Sequence, residues 1–134
     1  IALTPYSSLA SGRLSRRPGE TSRRLREDSF AHGKYDAAAA MDADIIDEVR
    51  RIAEARGVTM TTVSLAWLLT KVTAPIIGAT KPHHLDGAVA AVDFELSDSE
   101  IAALERPYQP HPIVGVMAQN TKENAAVAKS WERK

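Results

Sequence analysis

One short stretch of the chain carries residue types suited to binding an anion. Tyr6-Ser7-Ser8-Leu9-Ala10-Ser11-Gly12-Arg13 places an aromatic ring at the end of an apolar run. It then follows that ring with short side chains, which leave backbone N–H groups accessible to a phosphate. Behind it Arg13, Arg16, Arg17, Arg23, Arg24 and Arg26 crowd around Pro18-Gly19. A guanidinium fork holds two phosphate oxygens at once, so these arginines suit an anion-facing lid. They suit a solvated loop equally well, and a Ser/Gly stretch alone also suits a plain exit from a strand.

The elements that would position these groups are legible at several points. Residues 1–6 are short, apolar and bounded by turn residues, as in a strand buried on both faces. No period persists from Leu9 to about Met41, and a connection that long usually covers a site or moves. Asp42 or Asp44 caps a helix in which Ile45, Val49, Ile52 and Ala53 recur at spacings of three and four, and Gly57 supplies a left-handed stop. Thr59, Thr61 or Thr62 opens a second helix through Leu69, apolar in nearly every direction and therefore covered on most sides. Ala74-Pro75-Ile76-Ile77-Gly78-Ala79 reads as a second buried strand. Pro82 then suits the first turn of a helix with Leu85, Val89 and Val92 on one face. Ser97-Asp98-Ser99-Glu100 is a capping box for a short helix striped by Ile101 and Leu104 and ended by Pro107. Residues 107–112 read as extended, and the polar tail as helical from Lys122 onward.

At 134 residues, 44% hydrophobic and 25% charged, the chain has the composition of one globular domain. Its 17 basic and 17 acidic side chains cancel, so no global field favours nucleic acid or an anionic membrane. No apolar run approaches the roughly 18 residues of a membrane span, and the opening residues lack the pattern of a signal peptide. With zero cysteines, disulfides and thiolate metal sites are excluded. A soluble, cytoplasmic protein is expected. The first residue, Ile1, already belongs to an apolar run, which suggests a natural start further upstream.

Strands joined by helices belong to parallel α/β folds. Two strands alone leave both edges of a sheet unpaired, so this order requires upstream strands or another chain.

Three motifs, Thr4 to Arg13, Ser64-Leu65-Ala66-Trp67-Leu68-Leu69 and Pro75 to Leu85, occur in the order found in the C-terminal portion of the aldo-keto reductase superfamily, which the chain resembles from residue 1 to about 116. Among its branches the chain looks most like bacterial enzymes related to potassium-channel beta subunits. The resemblance implies a parallel (β/α)8 TIM barrel of class α/β, of which residues 1–6 and 74–79 would be strands seven and eight. Residues 10–41 would be a long Arg-rich loop covering the cofactor, and 117–134 a polar tail. The implied activity of the intact protein is NADPH-dependent reduction of aldehydes or ketones, an NADP-dependent oxidoreductase. Its partners would be a small carbonyl substrate and the missing N-terminal barrel half or a second chain. No nucleic acid, membrane or metal is expected.

By the same resemblance Tyr6 stacks on the nicotinamide ring, and Ser7, Leu9, Ser11 and Gly12 line the pyrophosphate under Arg13 or Arg17. Gly78, Ala79, Thr80 and Lys81 meet the adenosine phosphate, with Lys81 reading the 2′-phosphate of NADPH and His84 within reach. Tyr108 to Val116 would form part of the outer wall of the pocket. The chain departs from the family pattern at Ser8, His84, Gly87 and Ala88, and the last two lack side chains able to hold adenine. No residue matches the family's Tyr, Lys, Asp and His tetrad, which the resemblance places in the other half of the barrel. Tyr35, Tyr108, His83 and His111 match no catalytic motif.

Two rival readings stand beside this one. The first is a cofactor-binding regulatory or interaction module without turnover. The second is a helix-turn-helix DNA binder over residues 49–69, where Ala53, Gly57 and Val63 have the right spacing. The second helix of that pair carries no Arg or Lys before Lys71, which is poorly suited to phosphates and base edges.

Overall fold

A computed structural model of the chain describes residues 1–22, 26–111 and 114. Arg23 and Arg24 of the Arg-rich stretch, residues 112, 113, 115 and 116 of the expected pocket wall, and the 117–134 tail with its expected helix lie outside the described residues. The described residues form helices and turns with no strand. After a 3-10 segment at Ala10–Ser15 come α1 (Ser29–Tyr35), a 3-10 turn (Asp36–Ala38) and α2 (Ala39–Arg56). Then follow α3 (Met60–Leu69), α4 (His83–Val92) and α5 (Asp98–Glu105).

Local signals account for most of these boundaries. The Asp28 carboxylate accepts the Ala31 N–H at 3.0 Å and so starts α1 inside the stretch that shows no period. The 3-10 turn feeds straight into α2, which therefore begins at Ala39, before either expected aspartate cap. Gly57 ends α2 at φ 64°, a conformation that costs glycine no steric penalty. Thr59 caps α3 through the Thr62 N–H, and Ser97 and Glu100 form the full reciprocal capping box on α5.

α3 is the central element. One side packs Met60 and Val63 against Val49, Ile52 and Ala53 of α2 and Leu104 of α5. The other sets Leu65 and Ala66 against Ala91 of α4. Both buried hydroxyls on α3 are satisfied across the packing. Ser64 donates to the Leu14 carbonyl at 2.9 Å and Thr62 to the Gly87 carbonyl at 3.3 Å.

The expected α/β class, strands seven and eight of a parallel (β/α)8 TIM barrel, is corrected to an all-helical arrangement among the described residues. The reason lies in the two segments themselves. Residues 1–5 and 73–76 run side by side in parallel, with the Ala74 N–H donating to the Leu3 carbonyl at 3.3 Å and the Ile76 N–H to the Pro5 carbonyl at 2.8 Å. In a parallel register the Ala74 carbonyl would need the N–H of residue 5, which proline lacks. The Ile76 carbonyl takes the Ser8 hydroxyl at 2.8 Å in place of a backbone donor. Pairing thus runs one way, and no ladder forms.

Several expectations fall with the sheet. Among the described residues there is no sheet edge for the expected missing N-terminal barrel half or a covering second chain to complete. The expected reduction of a small carbonyl substrate by an NADP-dependent oxidoreductase belongs to a barrel whose strand ends form the site, and the described residues provide no such strand ends. Identity as a barrel portion of the channel-beta-subunit branch is overturned on the same ground.

The apolar face expected of α4 also points the other way. Leu85, Val89 and Val92 are 47%, 66% and 72% exposed, while Gly87 and Ala91 face α3. A Cβ on Gly87 would stand 3.0 Å from the Thr61 methyl and 3.1 Å from the Thr59 hydroxyl, so the smaller side of the helix gives the closer approach. Among the described residues no helix is long and apolar enough to cross a membrane.

Candidate functional site

The turn that leaves the first segment is conformationally unusual. Ser7, Ala10 and Ser11 have φ of 58°, 48° and 56°, and Gly12 has 93°. Left-handed backbone at each non-glycine residue costs about 1–2 kcal/mol, and such strain gathers where a binding surface is being shaped. Two bonds hold the turn, from the Ala10 N–H to the Ser7 carbonyl at 2.9 Å and from the Gly12 N–H to the Leu9 carbonyl at 2.8 Å. The N–H groups of Ser7, Ser8 and Leu9 have no partner among the described residues. The Leu9 side chain packs beside Leu65 and Ala66 and so anchors the turn to α3. At Gly12 a side chain would collide with Arg16, whose Nη1 donates to the Gly12 carbonyl at 3.0 Å.

From Tyr6 a row of cations and rings leads to Arg13. The Lys34 Nζ lies 5.2 Å from the centre of the Tyr6 ring and 5.0 Å from that of Tyr35, and the Arg13 Cζ lies 4.9 Å from the Tyr35 ring. Arg13 Nη2 also donates to Asp36 Oδ1 at 2.7 Å. Its Nη1 is closed off from solvent and has no hydrogen-bond partner among the described residues. An orphaned donor of that kind costs about 1–3 kcal/mol, more on a charged group, until an acceptor arrives.

Asp36 serves two bases, since its Oδ2 is 2.7 Å from His32 Nδ1. That hydrogen bond, helped by the Arg26 carbonyl, raises the His32 pKa above the ordinary histidine value. The same bond, with Arg13 second, holds the Asp36 carboxyl below the usual aspartate value.

The remaining expected residues lie at two further places. Arg17 is drawn to Glu54 of α2 at 3.0 Å and lines a cleft of about 230 Å³ with Arg16 and Arg50. Gly78, Ala79, Thr80 and Lys81 lead into α4, and the Thr80 N–H donates to His84 Nδ1 at 3.3 Å while Lys81 offers its carbonyl to the His84 N–H at 3.0 Å. His84 therefore ties down the turn through its own ring and occupies a backbone donor expected to meet a phosphate. Tyr6 and Arg13 are linked indirectly, through Lys34 and Tyr35. The two loop starts are joined by the Ser8 hydroxyl on the Ile76 carbonyl and by the Ile76 N–H on the Pro5 carbonyl. Sequence reading missed His32, Lys34 and Asp36 and set Tyr35 aside, although the i,i+4 spacing of His32 and Asp36 is that of a helical ion pair.

Residues 1–108 match the sequence profile of the aldo/keto reductase family. An aldo-keto reductase of Fusarium vanettenii is 42% identical over 116 residues, which is 86% of this chain and 31% of that protein. The aldo-keto reductase dtxS3 of Metarhizium robertsii is 45% identical over the same length and shares. The chain thus spans about a third of the length of the curated relatives it matches. Among solved structures, the glycerol dehydrogenase of Gluconobacter oxydans superposes with a TM-score of 0.59 at 20% identity, covering 86% of this chain and 38% of that one. At that identity the likeness is one of backbone course alone.

Proposed function

The chain belongs to the aldo/keto reductase family, and from that premise we propose that it is a nicotinamide-dinucleotide-binding module without turnover, acting through occupancy. Its family uses such dinucleotides, and the ligand favoured here is NADP or NADPH. Two features of this chain fit the phosphates. One is the unpartnered, solvent-shielded Nη1 of Arg13, which carries the reading. The other is the set of free N–H groups at Ser7, Ser8 and Leu9, exposed by the positive-φ turn.

In this reading Ser7, Leu9, Ser11, Gly12 and Arg13 hold the pyrophosphate, with Arg17 as an outer cation. Tyr6 offers a ring face to the nicotinamide. Gly78, Ala79, Thr80 and Lys81 take the adenosine end, with Lys81 free to reach a 2′-phosphate and His84 stiffening the turn. When bound, the dinucleotide supplies a redox-active ring, while this chain binds and orients it. No residue of the chain matches the family's proton-donating tetrad, so holding is all that its own residues supply. Absence of cysteine suits such a module to the reducing cytoplasm.

Calorimetric titration of the chain with NADPH tests the reading. Saturable binding that weakens with salt is expected, and Arg13→Ala and Lys81→Gln should each loosen it by about tenfold, the value of one charge-assisted bond. Mixed with small aldehydes, the complex should leave NADPH unconsumed. Failure to saturate, or equal affinity in all three proteins, would overturn the proposal.

A further inference from the structure

Lys34 is the one cation in the row whose charge rests on rings alone. It has no carboxylate partner among the described residues, and its ammonium sits between the faces of Tyr6 and Tyr35 at 5.2 and 5.0 Å. Arg13, by contrast, is neutralised by Asp36 at 2.7 Å. With Lys34 in place Tyr6 is still 63% exposed, so the ammonium stands over one face of a ring that is otherwise open to solvent.

A tyrosine face is the negative part of the ring quadrupole and attracts cations. Any flat ring that stacks on the covered face must first push the ammonium aside. The two oxidation states of a nicotinamide differ there in charge, because the oxidised pyridinium is a cation and the reduced dihydropyridine is neutral. The displaced ammonium remains tethered beside Tyr35 and repels the cation while leaving the neutral ring alone.

We infer that Lys34 is a specificity-determining residue that covers Tyr6 in the free protein and biases the site toward the reduced dinucleotide. This inference rests on the dinucleotide-binding reading above and adds to it a preference between redox states. It assigns a role to a residue that no motif singles out, and it makes occupancy of the module respond to the NADPH/NADP ratio.

The test compares wild type, Lys34→Gln and Lys34→Arg in titrations with NADPH and with NADP. Wild type should prefer NADPH, Lys34→Gln should lose about three- to tenfold of that preference, and Lys34→Arg should retain it, as expected for a partly screened like-charge contact. In NMR spectra of the free protein the Lys34 side-chain methylene next to the nitrogen should resonate upfield from the ring currents, then return downfield on saturation with NADPH. Binding with the same preference in wild type and Lys34→Gln, or an unshifted Lys34 resonance, would overturn the role of Lys34 and leave the binding reading standing. If wild type binds neither form, both fall together.

Discussion

Asp36 holds together two residues, Arg13 and His32, one on each carboxylate oxygen, and its behaviour with pH follows from that. His32 has a raised pKa, so its contribution to stability is complete below the unfolded value and is lost as pH rises through the folded one. Asp36 has a lowered pKa, so its contribution is present above the unfolded value and is lost as pH falls through the folded one. The Arg13–Asp36–His32 tie is therefore firmest between the depressed Asp36 value and the elevated His32 value. In an NMR titration His32 should deprotonate at higher pH than a free histidine, and Asp36→Asn should bring it back down. A His32 midpoint indifferent to that substitution would show that the pair does not exist in solution. The unpartnered N–H groups of Ser7, Ser8 and Leu9 were legible in the residue types, because short side chains leave the backbone donors of such a stretch accessible. Lys34, Tyr35 and Asp36 were not, because their role depends on how α1 folds back over the turn, which no local spacing encodes.

At the scale of elements, the Gly57 stop, the Thr59 cap and the Ser97–Glu100 capping box were read correctly, whereas the Asp42 or Asp44 cap and the signals depending on a neighbour were not. The capping box is self-contained, since Ser97 accepts the Glu100 N–H at 3.3 Å and Glu100 accepts the Ser97 N–H at 2.8 Å. Arg56 extends it to another helix by donating to both Glu100 oxygens at 2.8 Å and resting 4.7 Å from the Phe94 ring centre. The Ser97 N–H, with help from Arg56, holds the Glu100 carboxyl below its usual value against a partial desolvation penalty. Its support for α5 is thus present above the unfolded value and fades as pH falls through the folded one. Ser97→Ala should cost about 1 kcal/mol in urea unfolding at neutral pH, with a smaller loss in acid, where Glu100 is already protonated. The strands at 1–6 and 74–79 were misread for the complementary reason. Apolar content identifies a segment able to pair, but the pairing needs a donor at position 5, and that position is proline.

For the whole molecule, the distribution of apolar side chains follows from α3 being the hub. A helix apolar on every side has to be surrounded, and α2, α4, the 3-10 segment and Leu104 of α5 supply the surround. Glycine and alanine of α4 approach α3 most closely, so its larger residues are left outward, a choice between two faces that periodicity alone presents as already made. Val89→Lys should therefore shift unfolding free energy by less than about 0.5 kcal/mol, whereas Leu65→Ala should cost about 2–5 kcal/mol. Comparable losses in the two variants would mean that α4 is rotated in solution. The one-way pairing of residues 1–5 with 73–76 carries its own consequence. Lacking reciprocal rungs, the leading segment behaves as a latch rather than a hem, and it can lift rung by rung without unravelling the helices behind it. An amide hydrogen restored at position 5 would stitch that edge shut.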